Sequence, residues 1–272
     1  MLISSKDNPN IKRLAKLLSS KKARRESREF VIEGTRSCYD AACEVQRGGK
    51  LEITGFFCTE GALEKAENCF DTTKFQTIDS RLCYQITEQI AERLSEGSSQ
   101  GMFMTARMLD EPLRTEIIRR DGKYVVLADI RDPGNVGTIM RSADAFGIDG
   151  VVLAGDCCDL YNPKVIRSAM GSIARTPVYI SGTAEETAEL FAAAGVVNIA
   201  SVVSDGRSVT ETDFSRGCAV YIGNEGRGLD PTFAERCDER LTIIMRGSID
   251  SLNAAMAATV ILWEMTRGDR NG

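Results

Sequence analysis

The sequence contains no histidine among its 272 residues. That absence removes a Ser-His nucleophile pair, a histidine-ligated metal and a histidine general base. Any proton transfer is left to Asp, Glu, Lys, Arg, Tyr, Cys, the substrate or water. None of the nine cysteines is paired in a C-x-x-C, and apart from the adjacent Cys157 and Cys158 they are scattered singly. An odd count at irregular spacing argues against a disulfide framework and fits a reducing cytosol, where such thiols serve as small buried apolar groups. No apolar run approaches the length of a membrane span, and the N-terminal MLISSKDNPNIKRLAKLL is charged throughout, unlike a secretory leader. The expectation is a cytoplasmic protein with no membrane partner and no metal.

Apolar residues make up 43% of the chain, enough for a sizeable core, and the length fits one large domain or two ordinary ones. The net charge of −5 speaks against a nucleic-acid partner until its distribution is followed. Residues 1–36 hold ten Lys and Arg against four acids, so this stretch carries +6 and the remainder −11. Lys21, Lys22, Arg24 and Arg25 form its densest run. A basic end on an acidic protein is a local field able to meet a phosphate backbone. An ordinary solvated helix face has the same composition, and charge alone does not separate the two.

Apolar Ile11, Leu14, Leu17 and Leu18 at helical spacing predict a helix over residues 8–19, followed by the polar connection KKARRESRE. Strands are expected at 30–34, 51–59, 74–78 and 100–108, with helices at 35–46, 62–70 and 87–95. This first α/β unit spans residues 1–108, and the charged, proline-bearing stretch 109–122 reads as a linker. YVVLADI (124–130) opens a second unit, 123–272, with a strand apolar enough to be buried on both faces. Further strands at 151–155, 177–180, 196–203, 218–223 and 240–245 accompany helices at 135–146, 163–173, 184–194 and 251–266. The alternation implies a mainly parallel sheet.

Ligands of open α/β sheets bind beyond the carboxyl ends of the strands, so three loops of the second unit are the ones to read for chemistry. In the first, DIRDPGNVGTIMRSADAFG (129–147), Asp132-Pro133-Gly134 makes a turn, Asn135 is placed to cap the helix, and Arg141 falls near Gly137 on one helix face. A guanidinium there suits a phosphate or ribose edge, and it equally suits the solvated side of an amphipathic helix. In the second, YIGNEGRGL (221–229), Gly223, Gly226 and Gly228 enclose Asn224 and Glu225. The order G-x-x-G-x-G is neither the dinucleotide fingerprint nor a P-loop, and no lysine follows. A carboxylate among glycines would repel a pyrophosphate and suits a ligand with hydroxyls or positive charge; a plain strand-exit turn is the alternative. In the third, IIMRGSIDSLNAAMAATVILWE (243–264), Ser248, Ser251 and Asn253 precede a helix of small and apolar residues, suited to a core or to a dimer interface.

Together these segments resemble the SpoU (TrmH) family of the SPOUT superfamily of RNA methyltransferases. Its motif Asn-x-Gly-x-x-x-Arg-[Ser/Thr]-Ala is matched by Asn135, Gly137, Arg141, Ser142 and Ala143. Its Gly-x-Glu-Gly-x-Gly loop is matched by Gly223, Glu225, Gly226 and Gly228, and its Ser-Leu-Asn by Ser251, Leu252 and Asn253. The first unit resembles more loosely the L30e-like substrate-binding domain fused to such enzymes, on its FVIEG strand and QGMF segment. The resemblance implies an α/β fold: an N-terminal L30e-like domain, then a SPOUT catalytic domain whose mainly parallel sheet is threaded into a deep trefoil knot. It implies S-adenosylmethionine as cofactor, held mainly by the backbones of Gly223, Ile243 and Leu252, with Val203, Asn224, Gly228 and Met245 beside them. Asn135, Glu225, Ser251 and Asn253 would shape the place where donor meets ribose, and Arg141 matches the family's catalytic arginine. Arg167, in NPKVIRSAMGS (162–172), joins Lys21, Lys22, Arg24 and Arg25 as RNA-binding candidates. A homodimer is expected because the family builds its site at a two-fold interface.

The implied reaction is methylation of a ribose 2′-hydroxyl, with 23S ribosomal RNA the expected substrate because of the L30e-like domain. A transfer-RNA 2′-O-methyltransferase and a non-catalytic RNA-binding or assembly protein on the same scaffold are the alternatives. Arginine is protonated at any working pH. Arg141 therefore either acts on the hydroxyl with help from an RNA phosphate, or positions the ribose-phosphate and stabilises developing alkoxide charge. A nucleotide-dependent oxidoreductase would need a glycine fingerprint in the first β–α turn, which is missing.

Overall fold

The structure is a computed structural model that describes residues 2–95 and 100–268. The chain divides into two compact units, Met1–Leu109 with Tyr161–Arg175, and Asp110–Leu160 with Thr176–Gly272.

The first unit is built on a five-stranded mixed sheet. Its order is β1 (Leu2–Ile3), β4 (Cys83–Ile86), β3 (Ile53–Cys58), β5 (Met102–Arg107) and β2 (Glu29–Glu33). β5 runs antiparallel to both neighbours, and the remaining pairings are parallel. Helix α1 (Pro9–Ser19) starts where the Asn8 side chain accepts the Asn10 N–H, and it buries Ile11, Leu14 and Leu17. These side chains meet Val31, Phe57, Ile90 and Phe103 in one apolar cluster. Helices α3 (Thr35–Gln46), α4 (Glu60–Glu67) and α5 (Glu88–Leu94) fall within a few residues of where their spacing predicts.

Two expectations for this unit fail. The run KKARRESRE is a helix, α2 (Lys21–Ser27), capped by the Ser20 side chain on the Ala23 N–H and closed by Arg28 in the left-handed region. Long basic side chains are good helix formers, so a polar run was no reason to expect a loop. Residues 74–78 are not a strand: Thr72–Thr77 is a 3-10 turn begun by the Asp71 side chain on the Thr73 N–H. Its Phe75 stacks on Phe56 at 5.2 Å, which accounts for the apolar spacing that imitated a strand.

The second unit carries an eight-stranded, wholly parallel sheet. Its order is β11 (Arg207–Ser208), β13 (Glu239–Thr242), β10 (Val197–Ser201), β12 (Cys218–Ile222), β7 (Lys123–Ala128), β8 (Gly150–Ala154), β9 (Val178–Ile180) and β6 (Glu111–Pro112). β8 and β12 are buried along their whole length, as strands covered on both faces must be. The stretch expected to be a linker contributes the edge strand β6, and Leu113 and Ile118 enter the core of this unit. Proline is tolerated there because an edge strand can spare an N–H. Helix α6 (Pro133–Phe146) follows β7, α8 (Ala184–Ala193) and α9 (Pro231–Arg236) lie later in the unit, and α10 (Ala254–Thr266) closes it. Helix α7 (Pro163–Ala169) interrupts the second unit in sequence but belongs to the first.

The cap of α6 is not Asn135. The Asp132 side chain accepts the Asn135 N–H at 3.0 Å, which places Asn135 inside the first turn with its amide free for other work.

Candidate functional site

Parallel strands present their carboxyl ends to one edge of a sheet, and the chains leaving β10, β12 and β13 enclose a cavity of about 300 Å3 there. Val203, Gly223, Asn224, Gly228, Ile243, Met245 and Leu252 all line it. Glu225 and Ser251 stand on the same wall. Three residues that the motifs did not single out, Ala254, Ala257 and Ile261, supply an apolar floor from one face of α10. Their helical spacing was the available signal. Val203 is held by a hydrogen bond from the Thr242 hydroxyl to its carbonyl at 2.9 Å.

The glycine loop is a tight return. Asn224 and Gly228 exchange backbone hydrogen bonds at 3.1 and 2.9 Å, and the Asn224 side-chain oxygen accepts the N–H groups of Gly226 and Arg227 at 3.0 and 3.3 Å. A Cβ at Gly223 would stand 2.2 Å from the Leu229 nitrogen, so only glycine lets the chain come back on itself. The wall it makes is therefore mostly backbone, and a ligand can approach it closely.

The three motifs meet through one side chain. Asn135, buried at 7% exposure, donates from Nδ2 to Glu225 Oε1 at 3.0 Å and accepts at Oδ1 from Asn253 Nδ2, also at 3.0 Å. Asn253 is itself the cap of α10, its Oδ1 receiving the Ala255 N–H at 2.9 Å. Glu225 also accepts the backbone N–H groups of Asp132 at 3.0 Å and Arg131 at 3.3 Å. Desolvation alone would raise the Glu225 carboxyl pKa. The hydrogen bonds from Asn135, Asp132 and Arg131 outweigh it and hold the group below the usual glutamate range. Glu225 is thus an ionised tether between the glycine loop and the turn before α6.

Arg141, Asn135 and Asn253 do not line the cavity. Arg141 lies on the exposed side of α6, with Thr138 and Ala145. On α10, Met256, Val260 and Trp263 are 62%, 40% and 42% exposed at a helical spacing that puts them on one face. The opposite face is buried through Ala255, Ala258, Ile261, Leu262 and Met265. The Ser142 and Thr259 hydroxyls pair at 2.7 Å where α6 and α10 pack.

In the first unit Lys21, Lys22 and Arg25 are exposed on α2. Arg24 is not. It is 4% exposed, and its guanidinium donates to the carbonyls of Leu17 at 2.6 Å and Leu18 at 3.2 Å, satisfying the end of α1. It drops out of the RNA-binding candidates because its guanidinium is buried inside the unit. Arg167 is partly exposed and pairs with Glu33 at 3.0 Å. All nine cysteines are free thiols. Among the described residues no helix is long and apolar enough to cross a membrane, and no cluster of acids and cysteines is placed to hold a metal.

Comparison with known proteins matches this geometry to a class. Residues 122–263 fit the SpoU rRNA methylase family, and residues 8–103 fit the MRM3-like substrate-binding domain. The chain belongs to the SpoU rRNA methylase family. Over 97% of its length it is 31% identical to the 23S rRNA (guanosine(2553)-2′-O)-methyltransferase RlmP of Bacillus subtilis, covering 98% of that protein. The AdoMet-bound rRNA methyltransferase of Sinorhizobium meliloti superposes with a TM-score of 0.82 at 26% identity, over 98% of each chain. The SpoU methyltransferase AviRb of Streptomyces viridochromogenes, in complex with the cofactor AdoMet, gives 0.80 at 26% identity, over 97% of this chain and 99% of that one.

The Glu225 tether has a pH signature. Its folded pKa is depressed, so its contribution to stability is present above the unfolded value and is lost as the pH falls through the folded one. Glu225→Gln should lower the Tm at neutral pH and flatten its decline below the ordinary glutamate range. Melting curves across that range decide it; equal acid slopes in the two proteins would remove the tether.

Proposed function

We propose that this protein transfers a methyl group from S-adenosylmethionine to a ribose 2′-hydroxyl of ribosomal RNA. The observation that carries the reading is that the glycine loop and the Ser-Leu-Asn segment line one cavity and are tied through the Asn135 amide to the first turn of α6. The cavity fits the donor: its backbone wall at Gly223 admits close approach, Ile243 and Leu252 flank it, and Ala254, Ala257 and Ile261 offer apolar surface for a purine ring. S-adenosylmethionine, when bound, supplies a methyl group activated by a sulfonium. The chain's own residues supply orientation, and orientation is the larger part of what such a transfer requires.

The 2′-hydroxyl must lose its proton as it accepts the methyl. Glu225 is a poor base for that proton, since its oxygens already accept hydrogen bonds and its pKa is depressed. With no histidine in the chain, the proton leaves to water or to an RNA phosphate. Arg141, permanently cationic, positions the ribose-phosphate and stabilises charge developing on the 2′ oxygen. It acts outside its own chain's cavity, which favours a homodimer in which α6 and the apolar face of α10 meet a second copy. The exposed Met256, Val260 and Trp263 supply the surface for that contact. The sheet threading that goes with this reading is the trefoil knot, and the compartment is the cytoplasm. The first unit is the RNA-binding part, with Lys21, Lys22, Arg25 and Arg167 as phosphate contacts.

Three experiments test these points. Incubation with labelled S-adenosylmethionine and unmodified ribosomal and transfer RNA should give a 2′-O-methylnucleoside in the ribosomal RNA by mass spectrometry. Arg141→Ala should cut the rate by about a hundredfold or more; methyl on a base, or an unaffected Arg141→Ala rate, would sink the mechanism. Reversing Lys21, Lys22 and Arg25 to Glu, with Arg24 kept, should weaken RNA binding and its salt dependence while leaving donor affinity alone. Unchanged RNA affinity at low salt removes α2 from the interface. Placing Glu at Val260 and Trp263 should convert a sedimenting dimer to an inactive monomer; an active wild-type monomer contradicts the assembly.

A further inference from the structure

The glycine loop is also held to the rest of the second unit by a residue that opens the first segment, 129–147, but lies outside its motif. Asp129 follows β7, and its backbone N–H continues the strand ladder by donating to the Ala154 carbonyl at 3.1 Å. At that residue the chain turns into the left-handed region, φ +57°. Aspartate adopts this conformation more readily than most side chains. The turn takes the Asp129 carbonyl out of the ladder, where it accepts the Asn224 Nδ2 hydrogen at 2.8 Å. Its carboxylate does two further things. Oδ1 accepts the Asp156 N–H at 2.7 Å, and Oδ2 pairs with the Arg227 guanidinium at 2.8 Å.

The surroundings are shaped to this arrangement. Gly155 sits opposite at φ +73°, and a Cβ there would stand 2.4 Å from Asp129 Oδ1. A side chain at Gly155 would push the carboxylate away. The two partners that Asp129 takes from the loop are the ones that define it. Asn224 folds the return by accepting the Gly226 and Arg227 N–H groups, and Arg227 is at its tip. Both line the cavity. A guanidinium freed at that wall would also repel a sulfonium cation, so pairing it with a carboxylate removes a like charge from the neighbourhood of the donor.

We propose that Asp129 is a positioning residue for methyl-donor binding: its carbonyl orients Asn224, its carboxylate restrains Arg227, and together they fix the 224–228 wall of the cavity. The inference rests on the donor-site reading above. Asp129 touches no reacting group, so its effect is on donor affinity and loop order.

The test compares Asp129→Gly, Asp129→Asn and Asp129→Ala in the full chain. Donor Kd is read by calorimetry, hydrogen exchange of the 224–228 amides by mass spectrometry, and Tm by calorimetric scanning. Asp129→Gly keeps the left-handed backbone and loses both carboxylate contacts. It should raise the donor Kd about tenfold or more and expose the loop amides, with the Tm little changed. Asp129→Asn retains the backbone preference and an acceptor for the Asp156 N–H but gives up the ion pair with Arg227, so it should keep the Tm and still bind the donor more weakly than wild type. Asp129→Ala should behave as Asp129→Gly with an added loss of Tm from the backbone conformation. Wild-type donor affinity and protected loop amides in Asp129→Gly would overturn the proposal. So would affinity losses that follow Tm across all three variants, the behaviour of a purely structural residue. If the wild-type chain itself fails to bind S-adenosylmethionine, the donor-site reading falls and takes the donor role of Asp129 with it. The exchange of the loop amides then still decides whether Asp129 anchors the loop.

Discussion

One buried amide holds the candidate site together. Asn135 donates to Glu225 and accepts from Asn253, so the turn before α6, the glycine loop and the cap of α10 share a single hydrogen-bonded junction. An amide offers a donor and an acceptor on one planar group without taking up or losing a proton. Aspartate would face the Glu225 carboxylate with a like charge, and alanine would remove both links, to Glu225 and to Asn253. The junction also explains why Asp132 caps α6: handing the cap to Asp132 releases the Asn135 side chain to look inward.

The site's chemistry follows from how its carboxylate is used. Four donors surround Glu225: the Arg131 and Asp132 N–H groups, the Asn135 amide and, more distantly, the Asn224 amide at 3.4 Å. A group so engaged and with a depressed pKa is structural, an ionised pin joining two loops. With that acid occupied and histidine absent from the chain, the carboxylate left on the cavity lining is Asp250. What the wall offers is shape: backbone at Gly223, where no Cβ fits, and an apolar floor from α10. Such a surface suits a reaction whose barrier is lowered by placing two partners in line more than by moving protons for them.

Much of this was legible along the chain because strand ends and glycine spacing are local signals. Gly223 and Gly228 follow β12, whose apolar run is unmistakable, Ile243 leaves β13, and the sheet brings their loops to one edge. Polar connections between distant segments leave no such trace. Nothing in the spacing marks Asn135 as a bridge and not a cap, since either role needs a short amide near a helix start. The same limit hid Asp129, whose value lies in a left-handed backbone and three partners 27 to 98 residues away.

Arg24 and its neighbours make the point most sharply. Lys21, Lys22, Arg24 and Arg25 are one basic run in sequence, yet α2 turns Arg24 under itself to satisfy the Leu17 and Leu18 carbonyls while the others face solvent. Charge counted along a chain cannot separate a cation that closes a helix end from one that meets a phosphate; the helical period can, once the run is known to be a helix. The error in 74–78 has the same root in reverse. Phe75 is apolar because it stacks on Phe56, a contact that a 3-10 turn makes as well as a strand would. Side-chain pattern reports which residues must be buried, and the backbone that buries them is settled by what they are buried against.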